Sequence, residues 1–362
     1  MDQESIQCDG CECWMHQHCL NMTLAQYVTF SQPHLQFFCR QCVNGRDGYN
    51  FFASLSRIAQ CSPDLQAMRS TADSERNLLQ FYCVSLPPVQ SVCSTNLPVH
   101  AVSVELLRDY SPWLLDQYVP VDVGGDGNCL FRAVSVALYG DERSHTHIRL
   151  LAAIEVLLHP GLYDKASGEY YQPYKVDDEL VLLDYTAFAC DIVSNGRYSD
   201  MHTVLAISSV VQKPIQTRWP IRPRDRWDVP LTKLVYGRDV QTHNAINILW
   251  TTGAFRYAGK NPPPTLNHFV PLLTVSSSVS AQDKNKHDDN AGGEVEPISE
   301  LSDGDMEPDN DVEEPSVTIQ DARRLEGRFL SLADCIRILT DEGDTGVDRC
   351  PNGVKDNVYF KV

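Results

Sequence analysis

Two groups of residues in this 362-residue chain have types and spacings that do chemistry. The first centres on Cys129, in the stretch VGGDGNCLFRAVSVALY at 123–139. Gly124, Gly125 and Gly127 let the backbone turn tightly and aim several N–H groups into one space, an arrangement that can hold an oxyanion. From Leu130 the apolar residues Leu130, Ala133, Val134, Ala137 and Leu138 recur at three and four, so a helix follows whose first turn carries Cys129. Unpaired N–H groups and the positive end of the helix dipole favour thiolate over thiol there, so the expectation is a cysteine activated by its location. Without a base the same residue is a small buried hydrophobe. A nucleophilic thiol takes its base from elsewhere in the chain, and LNHFVPLL at 266–273 offers His268 inside an apolar, strand-like run.

The second group is Cys8, Cys11, His16, Cys19, Cys39 and Cys42, in the order C-x2-C-x4-H-x2-C-x19-C-x2-C. Two CxxC pairs and an HxxC in this order signal zinc, because each knuckle presents two thiolates to one tetrahedral ion. Cys13 falls between these positions and reads as a spare thiol.

The elements that must position the thiol and the imidazole are legible as patterns. A helix is expected at 144–158. NAINILWT (244–251) and 266–273 read as neighbouring strands, joined by a loop holding Gly253, Gly259 and Pro262–Pro264 that would lie beside the site.

DGNCLFRAV followed far downstream by NHFVPL resembles the ovarian-tumour (OTU) family of papain-like cysteine proteases, most of whose active members cleave ubiquitin from proteins. RYSDMHTVLAISSVVQKPIQTRW (197–219) is similar to the family's helix that leads into a central strand. The resemblance covers 101–276 and implies a mixed α/β, papain-like fold. It implies Cys129 as nucleophile, His268 as general base, Asp126 as the family's loop aspartate, and an oxyanion hole from N–H groups around 126–129. The implied reaction is acyl transfer from a ubiquitin isopeptide bond. Many members place Asp or Asn two residues after the histidine to orient the ring; this chain has Val270, leaving Asp126, Asp122, Asn247 and Asn267 as alternatives. Tyr198 stands where the family usually has tryptophan, ahead of Asp200 and His202. A catalytically inactive OTU fold acting as a chromatin- or protein-binding adaptor is the alternative function.

IQCDGCECWMHQHC (6–19) and FFCRQC (37–42) resemble the plant homeodomain (PHD) finger, a cross-braced module with eight ligands around two zinc ions. The resemblance implies that Cys8, Cys11, Cys39 and Cys42 share one Zn2+, while His16 and Cys19 match two ligands of the other, whose remaining pair would precede Met1. Trp14 matches a position that often walls a methyl-lysine cage, which implies a histone H3 tail as partner; an aromatic face attracts such a cation, and Asp2, Glu4 and Asp9 suit a basic peptide. A Trp in so small a module is at least as often core.

Composition bounds the rest. With 43% hydrophobic residues the chain can bury one good core plus a small module. Thirteen cysteines, five of them in zinc-like spacing with His16, and no signal peptide, point to a reducing compartment, and the resemblances to a nuclear rather than cytoplasmic protein. No apolar stretch has the length of a membrane span, and a net charge of −18 disfavours broad nucleic-acid binding. The expected organisation is a partial PHD finger at 1–43, a connector at 44–100 with a helix near 62–82, the OTU domain at 101–276, a disordered acidic linker at 277–316, and a fragment of a further small domain at 317–362. In the linker, 281–315 hold 13 Asp or Glu against Lys284 and Lys286.

Overall fold

The computed structural model describes residues 4–167, 184–220, 231–253 and 266–275. The acidic linker, the 317–362 segment and most of the loop between the last two strands lie outside the described residues.

The N-terminal module is built on a hairpin of β1 (Ser5–Gln7) and β2 (Trp14–His16), followed by α1 (Leu24–Phe30) and the short α2 (Arg40–Val43). Thr23 starts α1 with a reciprocal capping box to Gln26. A two-residue hairpin, β3 (Asn44–Gly45) and β4 (Gly48–Tyr49), leads out of the module.

The segment expected as a connector is a packed part of the fold. It carries α3 (Phe51–Gln60) and α4 (Leu65–Phe81), each capped at its N-terminus by an Asn or Asp side chain. One side of this pair receives the N-terminal module: Phe30, Phe37 and Phe81 meet edge to face at 5.3–5.9 Å, and Tyr82 donates to the Phe38 carbonyl at 2.8 Å. The other side joins the main core through Leu55, Ile58, Met68, Ala72 and Leu79, and Phe51 stacks on His147 at 4.0 Å. The joint is fixed by a buried carboxylate: Glu75 accepts from Arg57 at 2.5 and 3.0 Å and from Tyr49 at 3.4 Å. Spacing alone could not show this, since the apolar residues of α3 and α4 are split between two partners.

The remaining elements are α5 (Ala101–Tyr110), β5 (Tyr118–Pro120), α6 (Cys129–Tyr139), α7 (His145–Leu158), α8 (Tyr185–Val193), α9 (Met201–Val211), β6 (Ile215–Arg218), β7 (Leu234–Val235), β8 (Ile246–Thr251) and β9 (His268–Thr274). Five strands form one mixed sheet in the order β5-β9-β8-β6-β7. The expected pairing of the two late strands is present: β8 runs antiparallel to β9, with Thr251 opposite His268 and Trp250 opposite Phe269. The strand after α9 differs from expectation. It is β6, next to the edge strand β7, and β8 holds the centre. β9 is buried from His268 to Leu273 with no polar alternation, as a strand covered on both faces must be. The architecture is mixed α/β, and among the described residues no helix is long and apolar enough to cross a membrane.

Candidate active site and metal-binding cluster

Cys129 is the first residue of α6, at the end of the glycine loop. β9 reaches that loop from behind: a Cβ built on Gly125 would lie 3.7 Å from the His268 ring, and the backbone N–H of Phe269 faces the Cys129 sulfur. The fold thus brings the His268 ring to the glycine loop that leads into Cys129, from 139 positions downstream of that cysteine.

The loop is held by contacts that the sequence did not announce. Gly127 has φ +79°, and a Cβ there would come within 1.9 Å of the Gly196 carbonyl oxygen, so no other residue fits. Gly196, also left-handed at φ +78°, returns against Asp126. Arg149 of α7, 1% exposed, ties these two turns together. It donates to Asn128 Oδ1 at 2.7 Å and to the carbonyls of Asp191, Ile192, Ser194 and Arg197 at 2.5–3.2 Å, and its guanidinium lies 4.8 Å from the Phe131 ring centroid. Burial lowers its pKa to about 10, so it remains a cation at neutral pH. The available signal was a charge inside the apolar run IRLLAAIEVLL.

Asp126 faces α6. It accepts from Arg132 at 3.1 and 2.6 Å and from the Asn128 N–H at 3.1 Å. The Arg132 guanidinium holds its carboxyl well below the usual carboxylate range. Arg132 also donates to Glu142 at 2.5 Å, and Glu142 accepts from the Gly124 N–H at 2.9 Å. Two of the N–H groups available to an oxyanion are therefore engaged by carboxylates, those of Gly124 and Asn128.

Among the alternatives for a group beside His268, Asp122 is the one the fold delivers. Single ligand atoms of Asp122, His268 and His100 all lie within 4.8 Å of one another. Asn267 instead accepts from the Gly253 N–H at 3.4 Å, and Asn247 pairs in register with Gln216 between β8 and β6. Val270 is fully buried in the core. His100 is missing from the sequence reading, because its approach depends on an isolated bridge between Val99 and Val121.

The expected activation of Cys129 by its location is corrected by its burial. The residue is 3% exposed. Desolvation raises its pKa to about 11, outweighing the lowering by the N–H groups of Phe269, Leu130 and Cys129 itself. His268 is pushed the other way, to about 4, by burial first and then by the neighbouring His100. In the unliganded protein the pair is a thiol and a neutral imidazole. Alkylation of Cys129 by iodoacetamide should therefore be slow at pH 7.5, where roughly one molecule in several thousand carries the thiolate, and should accelerate through pH 10–11. A plateau below pH 8 would contradict this.

In the N-terminal module, Cys8 lies 3.7 Å from Cys42 and Cys11 3.8 Å from Cys39, sulfur to sulfur. All four sulfurs lie within 4.8 Å of one another. The tetrahedron edge for thiolates at a zinc–sulfur distance of about 2.3 Å is about 3.8 Å, so the cluster already has the dimensions of a metal site. Burial raises the Cys8 thiol, but the N–H groups of Cys39, Cys11 and Gly10 outweigh it and bring it to about 7. His16 and Cys19 form a separate pair, Nδ1 to Sγ 3.9 Å. Trp14 is 67% exposed on β2, so it is not a core residue.

A family model described as Vertnin, OTU domain, matches residues 120–251, and a PHD-finger model matches residues 1–42. His268 lies beyond the first match. Similar solved structures include the OTU domain of OTUD1, 16% identical over 48% of this chain and 95% of that one, with a TM-score of 0.31. The viral OTU domain protease from Dera Ghazi Khan virus is 18% identical over 45% and 84%, TM-score 0.29. The Hazara virus OTU bound to ubiquitin is 14% identical over 45% and 86%, TM-score 0.27. No curated protein matches the chain. The stretch that presents Cys129 on its glycine loop is thus an OTU domain of the Vertnin type, and the four-cysteine cluster belongs to a PHD finger.

Proposed function

We propose that this chain is a thiol-dependent isopeptidase of the deubiquitinase type, acting on ubiquitin or ubiquitinated proteins, with Cys129 as nucleophile and His268 as general base. The observation that carries the reading is the delivery of His268 by β9 to the glycine loop in front of Cys129. The sulfur bonds to the carbonyl carbon of the ubiquitin C-terminal glycine and its proton passes to His268. That proton leaves with the lysine amine as the C–N bond breaks, and water then releases the acyl group. Asp122 stands in for the acid missing at Val270, as a carboxylate beside the imidazole. Asp126 acts through the loop, by clamping it to Arg132.

A second reading, an OTU-fold adaptor without turnover, is favoured by the proton affinities. Burial holds the Cys129 thiol proton more tightly and makes the His268 imidazole a weaker base, so the transfer runs uphill before the two new charges attract each other. Substrate binding has to supply that difference for the enzyme to work. A ubiquitin C-terminal electrophile probe separates the readings. The enzyme forms a covalent adduct at Cys129 that disappears in Cys129→Ala and falls at least about a hundredfold in rate in His268→Ala. Folded protein that captures neither ubiquitin nor ubiquitin-like probes is the adaptor.

The four-cysteine cluster is proposed to hold Zn2+, and the finger to bring the chain to chromatin in the nucleus by binding a histone H3 tail on the face that exposes Trp14. Titration with an H3-tail peptide, read by Trp14 emission, tests this; an unchanged signal at millimolar peptide removes the assignment.

A further inference from the structure

His268 shares its pocket with two other metal-competent groups. His100, at the N-terminal boundary of α5, and Asp122, just after β5, converge on it, one ligand atom of each within 4.8 Å of the other two. The rings of His100 and His268 are 5.5 Å apart, centre to centre, and His100 Nε2 lies 3.9 Å from Asp122 Oδ1. Both imidazoles are buried, while the carboxylate is 52% exposed. Two nitrogen donors thus stand on the protein side, and an anionic oxygen stands at the solvent entrance.

The surroundings prepare His100 to coordinate. Its Nδ1 is 2.7 Å from Ser103 Oγ, and that hydroxyl in turn donates to Thr251 Oγ1 at 2.8 Å. An Nδ1–H donated into this chain leaves the Nε2 lone pair facing Asp122, the outer-shell arrangement that fixes a metal-binding histidine. The competing tautomer rests on a longer contact, 3.3 Å, from the Ser103 N–H. Burial disfavours the protonated form of both rings, and neutral imidazole is the form a metal takes.

We propose that His100, Asp122 and His268 form a second metal site, for a divalent transition ion of the zinc class, with two histidines, one carboxylate and an open position. The donor set decides the class. Magnesium and calcium ask for six or more oxygens, whereas two imidazoles and a carboxylate suit zinc and its neighbours. Closing to the roughly 3.4 Å ligand spacing of such an ion needs a shift of about 1 Å, which the exposed Asp122 can make. An ion seated there occupies the His268 imidazole, so it and the proton transfer from Cys129 exclude each other.

The test is made on the full chain with its finger already loaded with zinc, by titrating cobalt(II) and reading its visible spectrum. The expected result is one equivalent of cobalt with d–d absorption and no thiolate charge-transfer band. Affinity should fall at least about tenfold in both His100→Asn, which keeps a helix-capping side chain, and Asp122→Asn, and hold in Cys129→Ser. Thermal melting of the metal-free variants close to the parent excludes simple unfolding. The site is overturned by the absence of a cobalt spectrum at millimolar metal. It is equally overturned by affinity indifferent to both substitutions, or by a charge-transfer band lost in Cys129→Ser or Cys19→Ser. None of these readouts depends on whether Cys129 turns over any substrate.

Discussion

Arg149→Met should cost about 3–5 kcal/mol of stability and loosen the glycine loop more than any surface change in the domain. Methionine fills much of the volume but donates nothing. The carbonyls of Asp191, Ile192, Ser194 and Arg197 and the Asn128 side chain then lose the fork they share. Each buried acceptor left alone costs about 1–3 kcal/mol, partly recovered where water reaches it. Arg149→Lys should be nearly as harmful, because one ammonium cannot span both turns. Urea denaturation gives the energy, and hydrogen exchange gives the location. Faster exchange at 124–129 and 191–197, with α9 and β8 unchanged, is the expected pattern. Wild-type exchange at 124–129 in Arg149→Met would mean that Gly127 and Gly196 hold the loop unaided.

Chelation of the Zn2+ proposed for Cys8, Cys11, Cys39 and Cys42 should unfold the N-terminal module while leaving the domain around α6 and β9 folded. A structural zinc site of this kind supplies on the order of 10–16 kcal/mol at neutral pH. The module's own core, chiefly Ile6, Met22, Phe30, Phe37, Phe38 and Val43, is too small to replace it. Four thiols should become reactive to a disulfide reagent, and exchange should accelerate across residues 8–42. The effect should extend to the end of α4, where Phe81 and Tyr82 lose their partners, and stop before α7. Cys39→Ser should reproduce it without chelator. Persistence of the edge-to-face contacts of Phe37 in the chelated protein would show that α3 and α4 alone support the fold of the module.

The side chains that gather at both sites were legible because residue types at fixed spacing mark them. The glycines before Cys129 and the periodic residues after it announce a loop and a helix, and α6 begins at that cysteine. The cysteine pairs of the finger announce a tetrahedron, and their sulfurs meet at its edge length. The pairing of β8 with β9 follows from two β-rich runs bounded by turn residues. The docking of α3 and α4 did not follow, since a helix pair with two apolar faces looks the same in sequence whether it spans a gap or fills one.

Sequence by itself determined which side chains are present to react, because a nucleophile, a base and a metal-binding set are properties of residue identity and local spacing. Tertiary structure decided their state. Burial of Cys129 by β9 set the thiol high, burial and then the approach of His100 set His268 low, and Arg132 drew Asp126 away toward α6. Each of these depends on desolvation or on a charge brought near by chain closure, and a linear pattern carries neither dielectric nor distance.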